Sequence, residues 1–200
     1  MMLSMRDRLY HHGDLRASLL EQAERVLRDR GGAALSLREL ARDLGVSHAA
    51  PHRHFKDRRA LLDALAFVGF DRLTTRLTEA DPGPDSEFSH RLIALAHAAV
   101  DFAVCEPELM ALMFSSKHDT DAVDEMDKAW ERLGAPLFAV IAHGQQTGEV
   151  HAGDIHRITV SVFAAVHGVA SLAAVGMVPN DEISRTLDDT LTHLLKGLRP

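Results

Sequence analysis

The sequence predicts an all-α protein, and three observations carry that prediction. Valine and isoleucine recur in patterns of period 3.6 and not in strict alternation. Aromatic residues make up only 5% of the chain, and no Asn-Gly or Asp-Gly pair marks a hairpin. The expected architecture is an N-terminal three-helix helix-turn-helix unit followed by a larger C-terminal helical unit, about nine helices in all.

Each element has its own signal. The first helix is expected from Asp14 to Arg30, with Leu15, Leu19, Ala23 and Val26 on one face and Gly31-Gly32 ending it. The second opens at Ser36, where Ser36-Leu37-Arg38-Glu39 reads as a capping box: the hydroxyl takes the Glu39 amide and the carboxylate reaches back. Leu37, Leu40, Ala41 and Leu44 form its apolar face. Gly45 then supplies a left-handed turn, Val46 a buried plug and Ser47 the N-cap of a short third helix ending near Phe55. A long fourth helix opens at Asp57, with Leu61, Leu62, Leu65, Val68 and Leu73 facing inward. Asp81-Pro82-Gly83-Pro84-Asp85 breaks the chain. Beyond it, helices are expected at 86–104, 107–116, 121–147, 154–176 and 181–197.

Charge is divided unevenly between these parts. Residues 1–72 hold 13 Lys/Arg against 10 Asp/Glu, whereas residues 73–200 hold 9 against 19, so a basic unit precedes an acidic one in a chain of net charge −7. Phosphates repel the acidic part, and nucleic acid is expected to meet the N-terminal end only.

Two short helices joined through Gly45-Val46-Ser47 make a helix-turn-helix, in which the first braces across the DNA backbone and the second lies in the major groove. Val46, Pro51 and Phe55 are expected to face the core. His48, Ala49, Ala50, His52 and Arg53 are expected to face DNA, with Ser36 and Ser47 at the helix starts. Small side chains at 49 and 50 permit close approach, and Arg53 can pair bidentately with guanine. Lys56 and the amides opening the fourth helix are candidates to grip phosphate, as are Tyr10 and His11 ahead of the first helix. From residue 47 to 56 there is no acidic side chain, whereas a merely solvated helix usually mixes signs.

The stretch from Ser36 through Leu40-Ala41, Leu44-Gly45-Val46-Ser47 and Pro51-His52-Arg53-His54-Phe55-Lys56 to Asp57 resembles the DNA-binding signature of the TetR family, and the resemblance extends over about residues 10–75. His52 stands where that family usually has tyrosine; an imidazole can replace the phenol, more strongly when protonated. Farther on, Phe102-Ala103, Pro107 to Ser115 and Phe163 to Leu172 are similar to a TetR subgroup named for a Trp-His-Gly pattern. His167 and Gly168 match it, and Phe163 stands near the tryptophan. The resemblance implies a homodimer, a double-stranded DNA operator and a C-terminal domain that binds a small-molecule inducer. The implied division is 1–56 for the DNA-binding domain, 57–80 for a connecting helix and 81–200 for the ligand-binding and dimerisation domain.

Phe102, Met110, Met113, Phe114, Trp130, Phe138, Phe163 and His167 are the candidate ligand contacts, since Met and aromatic walls suit an apolar molecule. Ile158, Val162, Val166 and Val169, with Leu187, Leu191 and Leu194, are the candidate dimer stripe, flanked by the small residues Ala164, Ala165, Gly168, Ala170 and Ala173. Cys105 is expected to be a small buried hydrophobe. Thirteen histidines raise a metal site as an alternative, but no HExxH or second cysteine accompanies them. No P-loop, GxGxxG or Gly-x-Ser-x-Gly occurs, so no enzyme, cofactor or metal is expected. No uninterrupted run of 18 apolar residues occurs, and no membrane partner is expected. A cytoplasmic regulator, most simply a repressor, is the expected function.

Overall fold

The computed structural model describes residues 15–115 and 123–200. Its eight α-helices are α1 (Leu15–Arg30), α2 (Leu37–Asp43), α3 (Arg58–Ala80), α4 (Phe88–Cys105), α5 (Pro107–Met113), α6 (Val123–Thr147), α7 (Ile155–Ala174) and α8 (Ile183–Leu198). Two 3-10 turns, Gly32–Ala34 and Pro51–Arg53, complete the described residues, which contain no strand.

At the N-terminal end, α1, α2 and the start of α3 enclose Leu19, Ala23, Leu27, Leu40, Phe55, Leu61 and Leu65, all nearly inaccessible. The turn after α2 follows from one glycine. Gly45 adopts φ +68°, and the amides of Gly45 and Val46 donate back to the carbonyls of Arg42 and Ala41. The chain therefore reverses within two residues.

Two local expectations are corrected. Ser36 does cap α2 in extended conformation, but its hydroxyl makes no capping bond, and Glu39 lies 3.5 Å from Arg30 instead of reaching back. An alternative cationic partner has taken the carboxylate away from the helix end. The third element is also not an α-helix. Pro51 has no amide to continue an i→i−4 ladder, and the Ser47 carbonyl is taken by the Ala50 amide, one residue earlier. His48 and Ala49 lie in a turn, and only Pro51–Arg53 is wound, as a 3-10 turn.

The 23-residue α3 links this end to the body. Its N-cap is Asp57, whose carboxylate accepts from the Ala60 amide at 2.9 Å. Along its length it meets α1, then α4, α5 and α6. The approach to α5 is close because position 69 is glycine: a Cβ there would stand 2.6 Å from Met113 Sδ. In the body, α4 and α7 form the most extensive helix pair, and α8 lies across both. By length and composition α4 and α7 are apolar enough to cross a bilayer; in this fold they pack on each other as the centre of the body.

The Asp81–Asp85 break does more than end α3. Arg91 of α4 is 5% exposed, and its guanidinium donates two bonds to Asp81, at 2.8 and 2.6 Å. The Arg91 guanidinium holds the Asp81 carboxyl below its ordinary range, against the opposing effect of burial. Cys105 departs from expectation: it ends α4 and is exposed, the adjacent Phe102 and Ala103 taking the buried positions.

Candidate nucleic-acid interface and ligand cavity

The recognition segment divides by face. Pro51 and Phe55 are buried and Val46 is half-buried, whereas His48, Ala49, His52, Arg53 and Lys56 are exposed and Ala50 is intermediate. Phe55 anchors the segment beneath α1, with the Arg16 guanidinium 5.4 Å from its ring centroid. Arg58 anchors it from the other side, donating to the carbonyls of Leu35 and Gly32 at 3.0 and 2.6 Å. Ser36 is half-buried and Ser47 exposed. With His54 also exposed, the result is an exposed ridge of Arg53, Lys56 and the histidines 48, 52 and 54 on a buried base.

One part of the phosphate expectation changes. The Ala60 amide at the opening of α3 is occupied by Asp57, a carboxylate that would repel a phosphate at that helix end. The Ala60 amide is therefore taken by the chain itself, and the exposed cations Arg53 and Lys56 stand beside it. Tyr10 and His11 lie outside the described residues.

The body holds a cavity of about 230 Å³ bounded by α3, α4, α5, α6 and α7. Of the eight ligand candidates, Met110, Phe114, Trp130, Phe163 and His167 line it. The other three do not. Phe102 is fully buried beneath the Arg76 guanidinium, Met113 is fully buried against Gly69, and Phe138 faces His156 with ring centroids 5.4 Å apart. The lining residues that sequence reading missed are mainly leucines, among them Leu73 and Leu77 of α3 and Leu133 and Leu137 of α6. Of these only Leu73 was read as inward-facing from sequence, and no sequence signal separates a cavity wall from solid core.

The rings in the cavity form one cluster. Phe114 lies 4.2 Å from His167 and 4.9 Å from Trp130, and Phe163 lies parallel to His167 at 5.3 Å. Burial pushes the His167 imidazole below its ordinary pKa, so it is held neutral. Its Nε2 lies 3.2 Å from Ser171 Oγ, and its Nδ1 is buried without a hydrogen-bond partner.

The dimer stripe is corrected by burial. Ile158, Val162, Val166, Val169, Leu187 and Leu191 are covered by the chain's own packing, 8% exposed at most, which leaves little of each side chain for a partner. Leu194 is only partly covered. The reason is that one apolar period serves intrachain and interchain packing alike. What α7 leaves outside is His156, Arg157, Val160, Ser161, Ala164 and Leu172, with Ala165 and Gly168 half-exposed. Among the described residues no three His, Cys, Asp or Glu side chains gather as metal ligands would.

An exposed cationic helix-turn-helix ridge joined by one helix to an apolar cavity defines a class of protein, the two-part helical regulator. Comparison with known proteins places the chain within it. Residues 19–65 match the family described as bacterial regulatory proteins, tetR family, and residues 92–198 match the tetracyclin repressor-like C-terminal domain. The chain belongs to the TetR family, whose members are transcriptional regulators and not enzymes.

Among relatives, the HTH-type transcriptional regulator Rv1816 of Mycobacterium tuberculosis is 31% identical over 145 residues, a match covering 70% of this chain and 61% of that protein. The class C tetracycline repressor protein of Escherichia coli is 40% identical over 73 residues, 36% of this chain and 32% of that one. A solved protein of unknown function from Rhodococcus sp. RHA1 superposes with a TM-score of 0.86 at 42% identity, covering 96% of this chain and 99% of its own.

Proposed function

We propose that this protein is a ligand-responsive DNA-binding transcriptional regulator of the cytoplasm. It acts as a repressor: a homodimer holds a palindromic operator and is released by a small apolar or aromatic inducer. The observation that carries this reading is the path of α3. It begins two residues after Lys56 of the ridge, and its far half contributes Leu73 and Leu77 to the cavity. A molecule in the cavity presses on the same helix that positions the ridge.

Arg53 reads a base edge, while Lys56, His48 and His52 contact phosphate or base edges. Ala49 and Ala50 permit close approach, and Ser36 and Ser47 flank the backbone. Two copies are required because one short segment reads too few base pairs for specific binding; their ridges must stand one DNA turn apart, about 34 Å, or a multiple of it. The outer face of α7 and Leu194 of α8 supply the dimer contact, the small side chains at 164, 165 and 168 permitting close approach. The ligand lowers operator affinity only by its preference for a dimer whose ridges no longer match that spacing.

A gel shift with the DNA flanking the protein's own gene, at stated salt, tests this reading. The expected result is a discrete complex that an unrelated fragment fails to compete away, and that dissolves when a cavity ligand is added. A complex indifferent to DNA sequence would overturn it.

A further inference from the structure

The cavity wall is almost entirely hydrocarbon, and its polar groups are few. Thr159 already donates its hydroxyl to the Ile155 carbonyl at 2.8 Å, and Trp130, which carries an indole N–H, is 36% exposed. His167 is different, because its Nδ1 is buried and has no partner. Such an atom carries a desolvation cost that a bound molecule can remove.

The protonation of the ring follows from its neighbour. Ser171 Oγ has His167 Nε2 as its one hydrogen-bond partner among the described residues. With the Ser171 hydroxyl assigned as donor to Nε2, the ring proton sits on Nδ1. The orphan is therefore a donor. A donor calls for an acceptor on the ligand. A charged carboxylate is disfavoured in that role: no Lys or Arg lines the cavity, and burial keeps the imidazole neutral.

We propose that the cavity ligand is an uncharged, largely hydrocarbon molecule with one carbonyl-type acceptor, an ester, ketone or amide, that accepts a hydrogen bond from Nδ1–H of His167. The proposal rests on the reading of the cavity as a ligand site. In the ligand-free chain Nδ1 is covered, and the imidazole is flanked by Phe114 and Phe163. Phe163 is fixed within α7, four residues before His167 on the same face. Phe114 is only the C-cap of α5, so it is the ring that gives way when the acceptor enters. Its displacement shifts the end of α5, the helix whose Leu109 and Met113 meet Gly69 of α3.

The test uses the full chain and its single tryptophan, Trp130, in the cavity wall. Quenching of its fluorescence is titrated with three probes of similar size: n-butyl benzoate, pentylbenzene and 4-butylbenzoate. The ester should bind about tenfold tighter than the hydrocarbon, the worth of one buried hydrogen bond, and the carboxylate weakest of the three. His167→Asn places an amide N–H near the position of Nδ1 and should keep the ester preference. His167→Gln, which reaches instead to the position of Nε2, and His167→Phe should lose it while still binding pentylbenzene. A merely structural role for His167 would not separate Asn from Gln. Equal affinity for ester and hydrocarbon in the unaltered protein, or tightest binding of the carboxylate, would overturn the inference and leave the cavity reading standing. Loss of preference in His167→Asn would overturn the assignment to Nδ1. If no probe quenches Trp130, the cavity reading falls and the inference with it.

Discussion

Arg53 is exposed on a short wound segment whose neighbours Pro51 and Phe55 are buried, so replacing it removes a surface guanidinium without disturbing the base beneath. Arg53→Ala should relax sequence preference by about 1–3 kcal/mol, the worth of a bidentate arginine–guanine pair, with the melting temperature unchanged. Lys56→Ala should weaken binding to all sequences alike and flatten its salt dependence. Competition gel shifts at two salt concentrations separate these outcomes; unchanged preference in Arg53→Ala contradicts its role. His167 gives a prediction in pH. Burial lowers its pKa in the folded chain, so below the ordinary histidine range, near 6.5, the unfolded chain binds the proton more readily and the fold loses stability. Between pH 7.5 and pH 5.5 the melting temperature of the unaltered protein should therefore fall further than that of His167→Asn. Equal falls would show that His167 contributes nothing to acid sensitivity. The identities of these residues were readable in sequence, Arg53 from the absence of acid around it and His167 from the matched His-Gly pair. The orphan nitrogen was not, because it depends on how three rings and one serine meet in space.

Among the elements, the turn after α2 was the most legible, since a glycine at φ +68° leaves few alternatives to itself. The third helix was less so. The motif asks for a helix there, but Pro51 deprives the segment of the amide that would bond the Ser47 carbonyl, and the element tightens into a 3-10 turn. The Ser36 capping box had the right letters, but Arg30 competes for Glu39 across a turn that sequence spacing does not display. One junction has consequences for coupling. Arg72 of α3 donates to Glu24 of α1 at 2.8 and 3.2 Å and to Glu106, between α4 and α5, at 3.1 Å, while Arg28 lies 3.6 Å from Glu106. The Arg72 guanidinium holds the Glu24 carboxyl below its ordinary range. This cluster ties the DNA-binding end to the helices around the cavity. Arg72→Gln should lower stability by about 2 kcal/mol and reduce the factor by which a cavity ligand weakens DNA binding. The anisotropy of a labelled operator, titrated with and without ligand, reads that factor; an unchanged factor means the coupling runs elsewhere. The Asp81–Arg91 pair has a different character. Arg91 is almost wholly buried, so Asp81→Asn leaves a charge without its partner and should cost about 3–5 kcal/mol in urea unfolding. Because the folded-state pKa of Asp81 is lowered, this contribution is present above the ordinary aspartate range and disappears as pH falls through the lowered value. The gap between the unaltered protein and Asp81→Asn should thus narrow in strong acid.

At the scale of the whole molecule, the charge partition visible in sequence points nucleic-acid contact to the basic end, which carries the exposed Arg53 and Lys56. Sequence did not distinguish the chain's own core from a contact with a second chain. The Ile158–Val169 stripe of α7 is consumed inside the chain, and the outer face carries Ala164 and Leu172 instead. Sedimentation should give twice the chain mass, and Ala164→Glu should return the protein to a monomer without lowering its helix content; a dimer that survives that change is built on another surface. In the proposed function, a molecule in the apolar body controls the grip of the basic end on DNA. Its most direct measurement is the anisotropy of a fluorescent fragment taken from upstream of the gene, read with increasing protein in the presence and absence of n-butyl benzoate. The account predicts saturable, sequence-selective binding that the ester weakens several-fold. Binding left unaltered by an ester that demonstrably quenches Trp130 would contradict it.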